Sequence, residues 1–205
     1  MYLPEHFKEV DPAEIAQIIS SAPLGCIIAH TVEGLVANHV PLFIDKIGDV
    51  IGHFALANEM HRLVPAGTEV LIVFRGVDGY VSPNYYPSKK EHHGAVPTWN
   101  YQAVHLYGTI TFQHDVSSKR AAVGILTRAH ERAVNGDGAW HMADAPADYM
   151  TEMLDKIVAF RVAVTRTIAK SKLSQNRDQP DRDGAIHGMR NAGYEALAEK
   201  MARKD

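Results

Sequence analysis

At 205 residues the chain is long enough to bury a sizeable core, and its apolar fraction of 46% is ordinary for a globular protein. A formal net charge of −3 excludes the global basic field on which non-specific nucleic-acid binding relies. A single cysteine, Cys26, excludes an internal disulfide and a thiolate cluster, and no run of about 18 to 20 apolar residues or apolar leader-like N-terminus occurs, so a soluble cytoplasmic protein is expected.

Asp11-Pro12-Ala13-Glu14 predicts a helix start: Asp as N-cap, Pro at the first helical position, Glu three residues past the cap. Ile15, Ile18 and Ile19 give it an apolar stripe, and it ends near Ala22-Pro23. Cys26 to His30 reads as a strand, Glu33-Gly34 as a turn, and Leu35 to Ile44 as the second strand of a hairpin. Pro41 excludes a central ladder position and implies an edge or bulge that re-aims Asn38 and His39. After a turn over Asp45 to Asp49, Val50 to Ala55 forms a strand containing His53, and Asn58 caps a short helix to Leu63. A strand end running into a helix N-terminus presents free amides, which suits a phosphate. Glu69 to Phe74 is a continuous apolar run, expected to be a buried central strand.

Tyr80 to Tyr101 is then the segment around which the rest is organised. It holds Tyr85, Tyr86, Trp99 and Tyr101, stiffened by Pro83, Pro87 and Pro97, and exceeds the usual short connection. A rigid loop rich in aromatics and hydroxyls suits a flat polar ligand; a surface flap or a dimer contact uses the same residue types.

Val104 to Gln113 alternates closely, with Val104, Leu106, Ile110 and Phe112 on one face, and predicts a half-buried strand. Asp115 caps a helix to about Val134, with Val116, Val123, Leu126 and Ala129 along its apolar side. Pro146 opens another helix striped by Tyr149, Met150, Met153, Leu154 and Ile157, and Val158 to Thr165 makes the last strand. Six or so strands with short helices and no dividing linker predict one domain over 1–205: a mainly β, α+β antiparallel barrel with helical appendages. Residues 170–205 append a donor-rich segment and a C-terminal helix bearing Ile186, Met189, Tyr194 and Leu197. The donors of 169–177, among them Lys172, Ser174 and Gln175, suit an anion such as a phosphate, or only a solvated turn.

No HExxH pattern exists among the 12 histidines, and the adjacent His92-His93 pair is poorly placed to chelate one ion, so no metal site is expected. Ser82 and Ser88 lack a G-x-S-x-G context, and Cys26 reads as packing.

Six blocks in this order, Met1 to Phe7, Gly34 to Leu42, Gly52 to Asn58, Tyr80 to Lys89, Val96 to Tyr101 and Lys172 to Arg177, resemble the PaiB-type family of FMN-binding negative transcriptional regulators. That family is related to split-barrel flavin proteins of the pyridoxamine-phosphate-oxidase type. The resemblance implies a six-stranded split barrel, a homodimer, and FMN held where two barrels meet. On that expectation Trp99, Tyr85 and Tyr86 stack on the flavin, and Asn38, Asn100 and Gln175 read its edges. Lys89, Lys172, Ser174 and the amides around Asn58 answer its phosphate, while His39 and His53 touch flavin or substrate. Function then divides. One reading is an FMN-dependent oxidoreductase moving hydride between a nicotinamide or small substrate and the flavin; the other is a flavin-binding regulator of transcription. A repressor without flavin chemistry and a haem- or tetrapyrrole-binding barrel are the alternatives. The helix after Asp115 carries Lys119, Arg120, Arg128 and Arg132, yet nothing before it forms a helix-turn-helix pair, so direct DNA binding has little support.

Overall fold

Helix starts follow local side-chain chemistry. In the computed structural model, which describes residues 1–92 and 94–203, Asp11 Oδ1 accepts the Ala13 N–H at 2.9 Å and opens α1 (Pro12–Ser21). Glu14 does not close a capping box there; it reaches Gln102 and Lys200 instead. Asp115 caps α4 (Val116–Asn135) through the Ser118 N–H at 2.8 Å, and Asp178 caps α6 (Gln179–Asn191). The remaining helices are α2 (Met60–Leu63), α3 (Lys89–His92), α5 (Ala147–Asp155) and α7 (Glu195–Arg203). Gly193, at φ +84°, breaks what the sequence presented as one C-terminal helix into α6 and α7. His93, and with it the His92-His93 pair, lies outside the described residues.

The strands are β1 (Lys8–Glu9), β2 (Leu24–Thr31), β3 (Gly34–Pro41), β4 (Phe43–Ile44), β5 (Val50–Ala55), β6 (Glu69–Val81), β7 (Thr98–Gln113) and β8 (Ile157–Lys172). They order as β3-β2-β6-β7-β8-β5-β4, with β1 on β8. The antiparallel α+β class is as expected, with eight strands rather than six. The chain breaks at Leu42, just past Pro41, which separates β3 from β4, and β1 adds a short strand near the N-terminus. The expected hairpin forms between β2 and β3, turning at Gly34 with φ +110°.

Strand lengths are where expectation and structure differ most. β6 continues to Val81, β7 begins at Thr98 and β8 extends to Lys172. Trp99, Asn100 and Tyr101 are therefore strand residues rather than loop, as are Lys170 and Lys172. The chain forms two compact units, and β6, β7 and β8 each contribute residues to both. The first unit comprises Met1–Ala22, Phe74–His105 and the chain from Ile168 onward; the second comprises Pro23–Val73 and Leu106–Thr167.

In the first unit, Val81, Tyr86 and Leu173 pack with Ala185, Ile186 and Met189 of α6 and with Leu197, Ala198 and Met201 of α7. Several of its buried polar groups are paired with one another. Gln102 Nε2 donates to Glu14 Oε1 (2.8 Å) and Ser171 Oγ (3.0 Å), Ser171 Oγ donates to Glu9 Oε2 (2.7 Å), and Lys200 Nζ donates to Glu14 Oε1 (2.7 Å).

In the second unit, Phe54 stacks on Phe160 with centroids 4.6 Å apart, and Gly52 is required beside them: a Cβ there would lie 2.5 Å from the Phe160 ring. The buried residues of α4 are Lys119, Ala122 and Leu126; of the expected line only Leu126 is among them, and Val116 is 51% exposed. On α5 only Met150 and Leu154 of the expected stripe are buried. Among the described residues no helix is long and apolar enough to cross a membrane.

Candidate functional site

The sequence-predicted site residues fall into three groups. Asn38, His39, His53 and Asn58 lie in the second unit; the rest lie in the first, either on the 82–92 loop or at the ends of β7 and β8.

In the second unit, Asn58 Nδ2 donates to Asn38 Oδ1 at 2.7 Å, Asn38 Nδ2 points to Met60 Sδ at 3.3 Å, and Asn58 Oδ1 accepts the Met60 N–H at 2.9 Å. The two amides thus use their groups on each other and on the start of α2. That helix is a single turn, and Asn58 takes its Met60 N–H, which leaves one amide fewer for an anion there than the sequence suggests. His39 is exposed on β3 beside Cys26 in register. His53, half-buried on β5, has an unpartnered Nδ1, and burial holds its imidazole below the ordinary histidine range.

The 82–92 loop is docked on α6. Ser88 donates its N–H to Asp181 Oδ1 (3.0 Å) and its hydroxyl to Asp181 Oδ2 (2.7 Å), while Asp181 is only 4% exposed. The Tyr85 ring lies in a notch made by two glycines one helical turn apart: a Cβ at Gly188 would meet that ring at 2.3 Å, and one at Gly184 would meet the Tyr85 carbonyl oxygen at 2.1 Å. Tyr86 is 2% exposed and belongs to the α6–α7 core. Burial pushes its hydroxyl above the ordinary tyrosine range; the Arg177 guanidinium, 4.7 Å over its ring, opposes this. Lys89 donates to Asn84 within the same loop. Tyr85 and Tyr86 are therefore seated against α6 and in the core rather than presented as a stacking surface, whereas Lys89 has one partner among the described residues, Asn84, and keeps two of its three protons.

The ends of β7 and β8 are built differently. Trp99 donates its indole N–H to Asp78 Oδ1 at 3.0 Å, meets the edge of Tyr80 at 6.2 Å between centroids, and remains 48% exposed. Lys172 Nζ donates to the Trp99 carbonyl at 2.7 Å and to Thr98 Oγ1, which leaves one of its three protons without a protein acceptor. Lys170, two residues earlier on the same face of β8, sits 5.1 Å from the Tyr101 ring centre and 5.8 Å from that of Phe7, and donates to the Tyr2 carbonyl at 3.2 Å. Burial first, then the charges of Lys170 and Arg177, hold the Lys172 ammonium below the ordinary lysine range. Lys170, Lys172 and Arg177 pair with no carboxylate among the described residues. A lysine held against two neighbouring cations, with no carboxylate partner for any of the three among the described residues, makes a place for an anion.

The other expected members here serve the backbone. Asn100 Nδ2 donates to Ser174 Oγ at 2.8 Å in full burial, and Asn100 Oδ1 has no partner. Ser174 turns the chain at φ +69°, and Gln175 accepts the Leu173 N–H (2.7 Å) while donating to the Ser171 carbonyl (2.5 Å). Sequence reasoning passed over Lys170 and Arg177 as individual ligands. Period-two spacing back from Lys172 points to Lys170; nothing local marks Arg177.

Residues 1–166 match the family model described as "Putative FMN-binding domain". Protease synthase and sporulation protein PAI 2 of Bacillus subtilis is 30% identical over 194 residues, spanning 93% of this chain and 90% of that protein. The solved FAD and heme binding protein of Mycobacterium smegmatis superposes with a TM-score of 0.62 at 16% identity, covering 88% of this chain and 79% of that one. The flavocytochrome Anf3 of Azotobacter vinelandii does so with 0.59 at 12% identity, covering 89% and 78%. At these identities the two structures speak to the fold alone.

Proposed function

Because the chain belongs to the PaiB-type family of FMN-binding domains, we propose that it is a flavoprotein that holds FMN at the ends of β7 and β8 in its first unit. The observation that supports this most is the trio of Lys170, Lys172 and Arg177, which pairs with no carboxylate among the described residues. FMN carries the two features this region can answer, a phosphate dianion and a flat ring. The trio answers the phosphate, with Lys172 held in place by the Trp99 carbonyl and Thr98. Trp99, fixed by Asp78 and half-exposed, offers the aromatic surface. When bound, the flavin supplies hydride and electron acceptance; the chain's part is to bind, orient and neutralise. The printed name of the Bacillus relative ties that protein to protease synthesis and sporulation rather than to a metabolic reaction; on that ground we take a regulatory use of the cofactor as the working reading, and a homodimer as the working assembly.

A visible spectrum of the purified protein tests the reading, before and after mixing with FMN, FAD or riboflavin and desalting. FMN bands are expected to persist while riboflavin, which lacks the phosphate, washes away. Retention of riboflavin as firmly as FMN would overturn the phosphate assignment; retention of no flavin would overturn the function. A Soret band would move the protein to the haem alternative. NADH oxidation by the FMN-loaded protein separates the oxidoreductase from the regulator.

A further inference from the structure

We infer that the second unit carries a separate binding site for a small amphiphilic anion, of the class of a medium-chain fatty-acid carboxylate. A groove of about 610 Å³ lies against α4 and the 43–47 segment, within the range of small-molecule sites. Phe43, Ile47, Ile125 and Ala129 give it an apolar lining, and Ile47 is 79% exposed. Ile125, Ala129 and Arg132 recur at helical spacing on one side of α4, and Arg128 and Lys46 complete a cationic rim.

The carboxylates that would ordinarily neutralise such a rim are occupied elsewhere. Asp45, the acid in the lining, accepts Arg161 Nη1 at 2.6 Å through Oδ2, and the N–H groups of Ile47 and Asp49, both at 3.0 Å, through Oδ1. Glu131, between Arg128 and Arg132 in sequence, accepts Asn135 Nδ2 at 2.8 Å and the Trp140 N–H at 3.0 Å; these neutral donors leave its charge in place, and the three cations of the rim still outnumber it. Lys46, Arg128 and Arg132 pair with no carboxylate among the described residues. A chain of net charge −3 thus holds a net positive groove with an apolar lining.

Charge complementarity selects the occupant. A fully polar anion would leave the lining unused, and an uncharged hydrocarbon would leave the rim unused. One negative head on one apolar tail uses both. The site shares no residue with the proposed flavin site, so either can fail alone.

Calorimetric titration of the full chain with hexanoate, octanoate, decanoate and decanol tests this. One decanoate per chain is expected, with affinity rising along the series by up to about fourfold per methylene and decanol at least tenfold weaker than decanoate. The double variant Arg128→Ala/Arg132→Ala should weaken decanoate at least tenfold, and Ala129→Trp should block it, with FMN retention unchanged. If Ala129→Trp fails to fold, the arginine variant still decides. Absence of saturable decanoate binding, equal binding of decanol, or unchanged binding by the arginine variant would overturn the proposal. So would a change of oligomeric state in that variant by light scattering, which would give the groove to a second copy.

Discussion

The 82–92 loop and the ends of β7 and β8 belong to the same unit and look alike in composition, aromatic rings beside lysines and hydroxyls, yet the chain uses them in opposite ways. In the loop nearly every distinctive group has an internal partner: Ser88 has Asp181, Lys89 has Asn84, Tyr85 has the glycine notch, Tyr86 the core. At the strand ends a tryptophan is half-exposed and three cations have no acid partner among the described residues. Function is better sought among groups left unanswered than among groups that are conspicuous. A residue type says what bonds a side chain can make; only its neighbours say whether those bonds are already made.

The largest effect that can break this contrast is in the notch. Gly188→Ala puts a methyl 2.3 Å from the Tyr85 ring, and Gly184→Ala puts one 2.1 Å from a backbone oxygen that cannot rotate away. Overpacking of this kind costs ~1–3 kcal/mol, and Gly184→Ala should lie at or above the upper end. Combining Gly188→Ala with Tyr85→Ala should cost less than the two changes summed, because the second removes what the first collides with. Urea denaturation measures all three. A Gly188→Ala protein as stable as the parent would mean that the loop is not docked through Tyr85.

Next in size is the cationic trio. Lys172→Met and Arg177→Met should each weaken FMN at least tenfold on the proposed reading, with only a small net change in thermal stability, because relief of like charge offsets the loss of Lys172's two hydrogen bonds and of Arg177's contact with Tyr86. A pH series sharpens this. Burial and like charge hold Lys172 below the ordinary lysine range, so the folded chain binds that proton more weakly than the unfolded one. The resulting penalty is present at neutral pH and is relieved as pH rises through the lowered value, so this group's contribution to stability improves with pH there. FMN should do the reverse, stabilising most while Lys172 is charged and less as it is neutralised. Thermal shifts with and without FMN across the alkaline range should therefore converge in the parent and stay parallel in Lys172→Met. Parallel curves in the parent would remove Lys172 from the phosphate's surroundings.

What the sequence disclosed divides along the same line. Asp11 and Asp115 were legible as caps because the groups they bond lie two or three residues away, and β7 because alternation is local. Where strands stop was not legible: the prolines and aromatics of 80–101 read as one loop, although pairing carries β6 to Val81 and starts β7 at Thr98. Nor was the occupation of Tyr85 or Ser88, whose partners lie about a hundred residues later in sequence. The Gly184-Ala-Ile-His-Gly188 spacing was the available sign of a ring seated on α6. In the second unit, Asn38 had the right chemistry for reading a flavin edge and Asn58 for opening a phosphate site, but the two lie close enough for Asn58 to donate to Asn38.

The smallest expected difference concerns Ser174, on the boundary between the two kinds of region. It is a non-glycine residue at φ +69°, a conformation that costs ~1–2 kcal/mol, and its hydroxyl accepts the buried Asn100 amide at 2.8 Å. Ser174→Ala keeps the backbone strain and orphans that amide, whose next neighbour is Met201 Sδ at 3.5 Å, so a loss of ~1–3 kcal/mol is expected. Ser174→Gly orphans the amide as well but relieves the strain, offset by ~0.5–1 kcal/mol for the greater freedom of unfolded glycine. The glycine variant should therefore be equal to or up to ~1.5 kcal/mol more stable than the alanine variant, both below the parent. If Ser174 is a brace, FMN retention by the two variants matches the parent under conditions where both are folded. A loss of FMN common to both, at a stability cost well under that of an orphaned amide, would instead return the hydroxyl to the phosphate-binding set and make the Asn100 bond its resting partner.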